Sequence, residues 1–236
     1  MNEKIFIIIL TYNAERYISA CLDSIYQNQP ADNYQVIVVD NNSTDNTINI
    51  VKKYQQVELI VNEINLGFAK GNNRGIDRAM ELGAGSVLLL NQDTEAADDL
   101  IKESLKYMSE HPEVGIASPV IFYPNSRKIW FAGAKIYRGE EILKFPKLKI
   151  GQHINKKKEF SAEDRNNPVD WVPGCAMLIR RSVIDKIGLF DKSFFMYGED
   201  IDFCWRAKKQ GFKLGYFTSS HVFHKEPLNN KLKLNR

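Results

Sequence analysis

Apolar runs alternate with amphipathic segments through the first half of the chain. Lys4 to Leu10 is almost continuously apolar, as expected for a parallel strand that is covered on both faces. Ile18, Leu22 and Ile25 then recur at helical spacing within residues 14–27. The same alternation predicts strands at 35–39, 57–61 and 86–90, and helices at 44–54, 70–82 and 97–109. Strands that alternate with helices predict an α/β fold with a mostly parallel central sheet flanked by helices.

The pattern becomes irregular and rich in charge after residue 122. Loops and hairpins are expected there, with short strands near Lys128 to Tyr137. A buried strand is predicted from Val169 to Arg180, with Gly174 and Cys175 inside it, and another from Lys213 to Phe217. We read this half as an elaboration of the first half and not as a second folded domain.

Composition narrows the class of protein. The 236 residues are 44% hydrophobic and 26% charged, as in an ordinary soluble globular protein. A net charge of +3 is too small to indicate a nucleic-acid partner. The three cysteines form no CxxC pair, which suits a reducing cytoplasm better than a disulfide framework or a zinc site. The N-terminal apolar run is too short for a signal peptide or a membrane span.

Lysines crowd two regions of the chain. One group comprises Lys144, Lys147, Lys149, Lys156, Lys157 and Lys158, and the other Lys225, Lys231, Lys233 and Arg236. Solvated surface is the favoured interpretation, and the sharper alternative is a surface that meets anionic lipid head groups or a polyphosphorylated acceptor.

Polar groups follow the predicted strands of the first half. Ligands of parallel α/β sheets bind beyond the carboxyl ends of the strands. The sequences there are Thr11-Tyr12-Asn13, Asp40-Asn41-Asn42-Ser43 and Asn91-Gln92-Asp93. A carboxylate such as Asp40 can accept hydrogen bonds from a nucleobase or a ribose, although a turn that caps the next helix explains the same residues.

Two further groups have the chemistry of a diphosphate site. Gly67, at the start of the third helix, permits close backbone approach, and Lys70 or Arg74 would face a phosphate, although helix packing explains this segment equally well. Asp93 follows a buried strand, where a divalent ion bound to it would neutralise a departing diphosphate, although turn chemistry also explains the position. His221 or His224 would add an imidazole ligand, which favours manganese somewhat over magnesium.

Two adjacent carboxylates, Glu199 and Asp200, open a segment of helical spacing after an aromatic loop that contains glycine. The start of a helix offers free N–H groups and a favourable dipole, which hold a carboxylate in its ionised form. An ionised carboxylate beside a cleft suits a general base. Simple helix capping is the alternative.

Five motifs occur in an order that resembles the family 2 glycosyltransferases, and most closely their rhamnosyltransferase-type branch. They are Thr11-Tyr12-Asn13, Asp40-Asn41-Asn42-Ser43-Thr44-Asp45, Asn65-Leu66-Gly67-Phe68-Ala69, Leu89-Leu90-Asn91-Gln92-Asp93-Thr94 and Tyr197-Gly198-Glu199-Asp200-Ile201-Asp202. The likeness runs from about Ile5 to Lys225 and so covers nearly the whole chain.

The resemblance implies a GT-A fold, which is Rossmann-like, and inverting transfer of a sugar from a nucleoside diphosphate. It implies one domain over residues 1–236, with a nucleotide-sugar-binding half at 1–122 and an acceptor-binding half at 123–236. Relatives commonly continue beyond the equivalent of Arg236, so the chain is expected to be truncated at its C-terminus.

The resemblance also assigns roles to individual residues. The donor would be held by Thr11, Asn13, Asp40, Asn41, Asn42, Gly67, Lys70, Asn91 and Gln92. The acceptor side would include Trp171, Gly174, Tyr197 and Glu199, with Asp200 as the base. Asp93 and His224 would hold a divalent cation, Mn²⁺ or Mg²⁺. The family's DxD motif reads Asn91-Gln92-Asp93 here, with one carboxylate where many members have two, so metal dependence is less firmly implied.

The expected substrates are a dTDP- or UDP-linked sugar, with rhamnose as the leading candidate, and a glycan or lipid-linked acceptor in surface polysaccharide synthesis. The protein is expected in the cytoplasm, with peripheral contact at the inner face of the membrane and no nucleic-acid partner. Two rival functions remain at this point. A sugar-nucleotide nucleotidyltransferase would use a similar sheet but begin with a glycine- and arginine-rich loop, and a non-catalytic carbohydrate-binding domain would bind without turnover.

Overall fold

Apolar runs of the sequence become the central strands of one mixed sheet. The computed structural model describes residues 4–27, 33–133 and 169–225. The strands are β1 Ile5–Thr11, β2 Tyr34–Asp40, β3 Val57–Val61, β4 Ser86–Asn91, β5 Thr94–Ala96, β6 Val114–Phe122, β7 Ile129–Phe131, β8 Ala176–Arg180 and β9 Lys213–His224. The helices are α1 Ile18–Tyr26, α2 Thr47–Val51, α3 Gly67–Glu81, α4 Leu100–Glu110, α5 Arg181–Ile187 and α6 Glu199–Lys209.

The sheet has the order β3-β2-β1-β4-β8-β6-β9-β5 within the described ranges, with β7 paired to β6. Strands β1 to β4 are mutually parallel, as the alternation of strands and helices predicts. Beyond β4 the sheet becomes mixed, because β8 is antiparallel to both β4 and β6, and β5 is antiparallel to β9. The carboxyl ends of the parallel strands β1, β2 and β4 therefore lie at the same edge of the sheet. The β9–β5 pair stands at the far end of the strand order from β3.

Glycines let α3 lie close against the sheet. A Cβ at Gly75 would stand 2.4 Å from Ile8 Cγ2, and one at Gly71 would stand 2.5 Å from Leu10 Cδ1. Both contacts are shorter than real Cβ atoms tolerate, so the helix can approach β1 only because these residues lack side chains. The N-terminus of α3 is thereby brought to the carboxyl edge of the sheet.

Several predicted boundaries differ from the structure. The first helix begins at Ile18 and not at residue 14, and α2 is only five residues long. Gly174 and Cys175 precede β8 and do not lie inside it. His221 and His224 lie within β9, which is longer than predicted, and do not follow it. The expectation of a short strand near residue 128 is confirmed by β7.

The lysines at 144–158 and those after Lys225 lie outside the described residues. Within the described part of the chain, no helix combines the length and apolar character that crossing a membrane requires.

Candidate active site

Asp40, at the end of β2, is fully buried and organises the loop that follows it. Its Oδ2 accepts hydrogen bonds from Thr11 Oγ1 at 2.9 Å and from Ser43 Oγ at 2.6 Å, while its Oδ1 accepts from the Ser43 N–H at 2.8 Å. Because protein donors already use both oxygens, Asp40 shapes the loop from beneath. This differs from the expectation that its carboxylate faces a ligand directly.

Asn41 is also buried, contrary to the expectation that it faces a ligand, and it joins β2 to the start of α3. Its Nδ2 donates to the Gly67 carbonyl at 3.1 Å, and its Oδ1 accepts from Asn62 Nδ2 at 2.7 Å. Arg74 donates to Asn62 Oδ1 at 2.5 Å, so its guanidinium supports this network and is engaged within the protein. Side-chain amides therefore join the loop after β2 to the start of α3, two of the predicted sections of the donor site.

The exposed members of the predicted donor set are Asn13, Asn42 and Lys70. Asn13 and Asn42 have positive φ angles of 49° and 66°, which Asn tolerates better than most residues. Asn13 Oδ1 accepts from the Thr44 N–H at 2.9 Å, so the two loops are tied to each other at the surface. Gln92 has a bridging role, because its Oε1 accepts from the Tyr12 N–H at 2.8 Å and its Nε2 donates to the Tyr12 carbonyl at 3.4 Å.

Asp93 and His224 form the polar centre of the edge. The antiparallel pairing of β5 with β9 sets Thr94 opposite His224, and this brings His224 Nε2 to 3.3 Å from Asp93 Oδ1. Asn91 Nδ2 lies 3.4 Å from the same ring nitrogen, and both Asp93 and His224 are buried. The Trp130 ring meets the imidazole edge-on with a centroid separation of 5.3 Å. Sequence positions 91, 93 and 224 are thus neighbours in space.

This cluster fits a divalent cation that is shared with a substrate. An oxygen and a nitrogen ligand converge from Asp93 and His224, and Mg²⁺ or Mn²⁺ characteristically takes its other ligands from phosphate oxygens and water. The described residues contain no group of three or more His, Cys, Asp or Glu side chains arranged for a metal. A cation here would therefore depend on the diphosphate for much of its coordination.

Asp200 lies in the first turn of α6, behind Gly198 in a left-handed conformation with φ 99°. Its Oδ1 accepts from the Ile201 N–H at 2.8 Å, and its Oδ2 accepts from the Gly174 N–H at 3.2 Å. Burial raises the pKa of Asp200, and these N–H donors together with the Trp171 indole offset part of that effect. Burial outweighs these donors, so the net effect is a pKa of Asp200 above its ordinary value.

Gly174 and Cys175 connect Asp200 to the cluster of Asn91, Asp93 and His224. Gly174 donates to Asp200, and the next carbonyl, that of Cys175, accepts from the Asn91 N–H at 3.0 Å. Burial, together with the charges of Asp93 and Asp200, raises the pKa of the Cys175 thiol well above its usual value. The charges of Asp93 and Asp200 therefore both act on the Cys175 thiol. The two carboxylates lie on either side of the Gly174–Cys175 turn.

One buried polar atom beside Asp200, Glu199 Oε2, has no hydrogen-bond partner among the described residues. The indole of Trp171 faces the Asp200 carboxylate and helps to lower its pKa. Glu199 is 5% exposed and lies next to Asp200, and Trp171 packs edge-on against Phe131 with a centroid separation of 5.7 Å. A buried acceptor without a partner is costly in free energy unless a ligand satisfies it. In the Asp93 cluster, His224 Nδ1 is also buried without a partner among the described residues.

The aromatic loop before α6 is hydrogen-bonded to the first turn of α3. The Phe195 carbonyl accepts from the Phe68 N–H at 2.6 Å, at the first turn of α3. Phe195, Met196 and Tyr197 are exposed, and Tyr197 has a φ of 71°, which is strained for an aromatic residue. The loop is thus held at one end while it presents apolar side chains to solvent beside Asp200.

Sequence reasoning missed the residues that join the parts of the site. Asn62 and Asn73 are buried, and the Asn73 amide bonds both the N–H and the carbonyl of Phe190, at 3.0 and 2.8 Å. Cys175 was treated as an ordinary strand residue. The available signal was an asparagine within a helical pattern. Such a residue indicates that its side chain bonds to backbone elsewhere, but the pattern does not show which backbone.

Glu199→Gln is expected to stabilise the protein near neutral pH. Burial raises the pKa of Glu199, its own backbone N–H offsets part of this rise, and the charge of Asp200 adds to it. A carboxyl whose folded-state pKa is raised is most favourable to folding below its unfolded pKa of about 4.3, and that contribution is lost as pH rises to the folded value. Removing the charge should therefore raise Tm at pH 7.5 by about 2–4 °C for each kcal/mol recovered.

Thermal denaturation at a series of pH values measures this effect. The difference between Glu199→Gln and the wild type should shrink towards zero as pH falls to about 4. Glu110→Gln, at the exposed end of α4, should leave Tm nearly unchanged. A lower Tm for Glu199→Gln at pH 7.5 would contradict the assignment of an uncompensated buried charge.

The fold is that of solved GT-A glycosyltransferases. Staphylococcus aureus TarS 1–349 in complex with UDP superposes with a TM-score of 0.68 at 18% identity, and the match covers 94% of this chain and 60% of that solved chain. GalNAc-T7 with UDP, GalNAc and Mn²⁺ superposes with a TM-score of 0.69 at 14% identity, covering 96% of this chain and 44% of that structure. These likenesses confirm the GT-A fold, and the chain spans less than two thirds of either solved chain.

The chain belongs to glycosyl transferase family 2, whose profile matches residues 6–188. A rhamnosyltransferase of Mycobacterium tuberculosis that acts on N-acetylglucosaminyl-diphospho-decaprenol is 27% identical over 95% of this chain and 76% of its own length. The hexosyltransferase Agl10 of low-salt glycan biosynthesis in Haloferax volcanii is 30% identical over 97% of this chain and 69% of its own. Rhamnosyltransferase WbbL of Escherichia coli is 28% identical over 93% and 83%. The resemblance seen in the sequence motifs is thereby confirmed.

Proposed function

We propose that this protein is an inverting glycosyltransferase that moves a sugar from a nucleoside diphosphate to a hydroxyl of a glycan or lipid-linked acceptor in surface polysaccharide synthesis. One observation carries the proposal. The Gly174–Cys175 turn joins a buried carboxylate, Asp200, to the Asn91 end of a second polar cluster that contains Asp93 and His224. A base on one side and a diphosphate site on the other are the two components that sugar transfer requires.

Asp200 serves as the general base in this proposal. It takes the proton of the acceptor hydroxyl as that oxygen forms a bond to the anomeric carbon of the donor. The bond from the anomeric carbon to the diphosphate oxygen breaks at the same time, and its electron pair leaves with the nucleoside diphosphate. Attack opposite the leaving group inverts the anomeric configuration, and no second carboxylate is needed as a nucleophile.

The diphosphate lies at the edge formed by Asn91, Asp93 and His224. A Mn²⁺ or Mg²⁺ ion held by Asp93 and His224 would neutralise negative charge on the leaving diphosphate. Thr11, Asp40 and Asn41 shape the nucleotide loops from beneath. The exposed members of the donor set, Asn13, Asn42 and Lys70, contact the nucleotide, with Gly67 giving the backbone of α3 room to approach it.

The residues around Asp200 bind the acceptor in this proposal. The unpartnered Glu199 Oε2 offers an acceptor to a sugar hydroxyl, and burial gives such a hydrogen bond considerable selectivity. Trp171 lies beside Asp200 and forms part of the same wall. Tyr197 supplies an exposed aromatic face beside them. Gly174 lets the turn pack closely against Phe68, because a Cβ there would lie 3.0 Å from the Phe68 ring.

The names of the relatives favour rhamnose, carried by dTDP, over other sugars, with UDP-linked hexoses next. A lipid-linked acceptor places the protein in the cytoplasm at the inner face of the membrane, in peripheral contact. The family match favours transfer over a nucleotidyltransferase, and turnover separates transfer from a non-catalytic binding domain.

Donor binding is the first expectation to test. UDP or dTDP at one hundred times its Kd should stabilise the fold by about 2.7 kcal/mol, so that Tm rises by several degrees. The rise should increase with Mn²⁺ and fall in Asp93→Asn, because the cation is shared between carboxylate and diphosphate. Asp185→Asn, a surface carboxylate paired with Arg181, should behave as the wild type does.

Turnover then tests the proposal itself. Release of nucleoside diphosphate from dTDP-rhamnose and UDP-hexoses is measured by chromatography, with and without polyprenyl-diphosphate-linked sugars as acceptors. Acceptor-dependent release supports sugar transfer. Nucleotide binding without release from any donor and acceptor pair would favour the binding-domain alternative, and no stabilisation by any nucleotide would overturn the donor site.

A further inference from the structure

The segment before β8 runs along one face of α6 with a regular set of contacts. Gly174 donates to Asp200, Val172 bonds Cys204, and Asp170 pairs with Lys208. The helix partners are spaced by four residues, and the segment partners are spaced by two in the opposite direction. A three-step ladder therefore joins 170–174 to 200–208, and we call it the α6 ladder.

The spacing of the α6 ladder follows from backbone geometry. Four residues of α-helix advance about 6.0 Å. Two residues of extended chain advance about 6.6 Å. Because the two advances nearly agree, an extended segment can keep contact with every fourth residue of a helix for several steps. The register then decides which segment residue meets the catalytic carboxylate.

Cys204 is the buried middle step of the α6 ladder. Its Sγ accepts from the Val172 N–H at 3.4 Å and donates to the Val172 carbonyl at 3.7 Å. Pro173 has no N–H, so within residues 172–174 the backbone donors are Val172, which donates to the thiol, and Gly174, which donates to Asp200. The thiol is fully buried, whereas the Asp170–Lys208 pair is half-exposed and contributes less.

We infer that Cys204 is a positioning residue that holds the Trp171–Gly174 turn in the register at which Gly174 donates to the Asp200 carboxylate. The inference rests on the proposed function of Asp200 as the base. It assigns Cys204 no contact with substrate. Loss of the thiol should let the turn slide or lift, so that Asp200 loses its Gly174 donor and Trp171 moves from its place beside it.

Among the described residues, the titratable groups that interact with Asp200 include Glu199 on the same turn of α6 and the thiols of Cys175 and Cys204. Burial raises the pKa of both thiols, so they stay neutral across the range in which a carboxyl titrates. Glu199 is itself a carboxyl, and a Glu199→Gln background removes its titration from the measurement.

The test follows the fluorescence of Trp171 in a protein carrying Trp130→Phe, Trp205→Phe and Glu199→Gln. A titration whose transition disappears in Asp200→Asn reports protonation of Asp200. Cys204→Ala should raise its midpoint by about half a unit to one unit, because a hydrogen bond to the ionised form is lost. Cys204→Ser, which keeps a donor and an acceptor, should stay nearer the parent value.

Steady-state kinetics in the otherwise native chain supply the second measurement. Cys204→Ala should lower kcat by roughly ten- to a hundred-fold with little change in the KM of the donor, because a misplaced base affects the chemical step. Val183→Ala truncates a buried side chain on α5 that packs against Gly115, and it serves as the control for general loosening. It should change neither the midpoint nor the ratio of kcat to KM.

The outcomes separate cleanly. An unchanged midpoint in Cys204→Ala, or an equal change in Val183→Ala, overturns the positioning role. If Cys204→Ala does not fold, Lys208→Ala provides the alternative test and should shift the titration midpoint of Asp200 less, but in the same direction. Lys209→Ala, on the outer face of α6, should leave the midpoint unchanged. Equal shifts in these two variants would overturn the proposal. A protein that transfers no sugar yet shows the titration shift contradicts the proposed function and leaves the positioning of Asp200 supported.

Discussion

Asp200→Asn should lower kcat by about 10²- to 10⁴-fold, the range that removal of a general base produces. The amide keeps an oxygen for one backbone N–H but cannot take a proton from an acceptor hydroxyl. The KM of the donor should change little, because among the described residues the Gly174–Cys175 turn stands between Asp200 and the cluster of Asn91, Asp93 and His224. Acceptor-dependent release of nucleoside diphosphate measures the effect.

Asp202→Asn is the matched control for this substitution. Asp202 lies on the same turn of α6 and pairs with Arg206 at 2.7 Å, away from the Gly174 contact. It should retain kcat within a few-fold. Equal losses in the two variants would show that α6 tolerates no change in charge, and would remove the evidence for a base at Asp200.

The structure predicts the direction in which kcat changes with pH. Burial raises the pKa of Asp200 above its ordinary value of about 3.9. The base works only when ionised, so activity should fall as pH drops through this raised value. An acid limb below pH 4 would contradict the assignment.

Gly67→Ala should be among the most destabilising substitutions in the chain. Gly67 has a φ of 78°, and a Cβ there would stand 2.4 Å from the Phe195 carbonyl oxygen and 2.7 Å from Phe195 Cδ2. The same carbonyl accepts from the Phe68 N–H, so the loop cannot retreat without losing that bond. We expect a loss of about 3 kcal/mol or more in the free energy of unfolding, with a Tm lower by about 6–12 °C.

Gly83→Ala separates the cost of a positive φ from the cost of the contact with Phe195. Gly83 has a φ of 83°, and no atom lies within 4 Å of a Cβ built on it. It therefore reports the backbone cost alone, about 1–2 kcal/mol. The excess loss in Gly67→Ala measures the contact with Phe195. Equal losses in the two variants would show that the aromatic loop yields freely, and then Gly67→Ala should leave kcat unchanged.

The strands of the first half were predictable because burial on both faces leaves a continuous apolar run, as in Lys4 to Leu10. Helix bounds were less accurate, since Ile18 begins α1 well after the periodic pattern starts. Strand β5 escaped prediction because three residues carry too little pattern, and its existence depends on pairing with β9.

The candidate site divides in the same way. Motif order indicated the family, and the acidic residues at strand and helix ends indicated the chemistry. Sequence could not show that Asp40 is buried under its own loop, because hydrogen bonds from Thr11 and Ser43 decide that. Nor could it show that burial outweighs the helix start in setting the pKa of Asp200.

The sequence by itself determined the α/β class, the parallel first half and the identity of the polar residues at its edge, since these follow from local periodicity and side-chain chemistry. Only the tertiary structure decided which of those residues meet. Asp93 reaches His224 because β5 pairs with β9, and Gly174 reaches Asp200 because a segment runs along α6 in one register. Contacts between positions distant in sequence depend on how elements pair and pack, and a local pattern carries no information about that register.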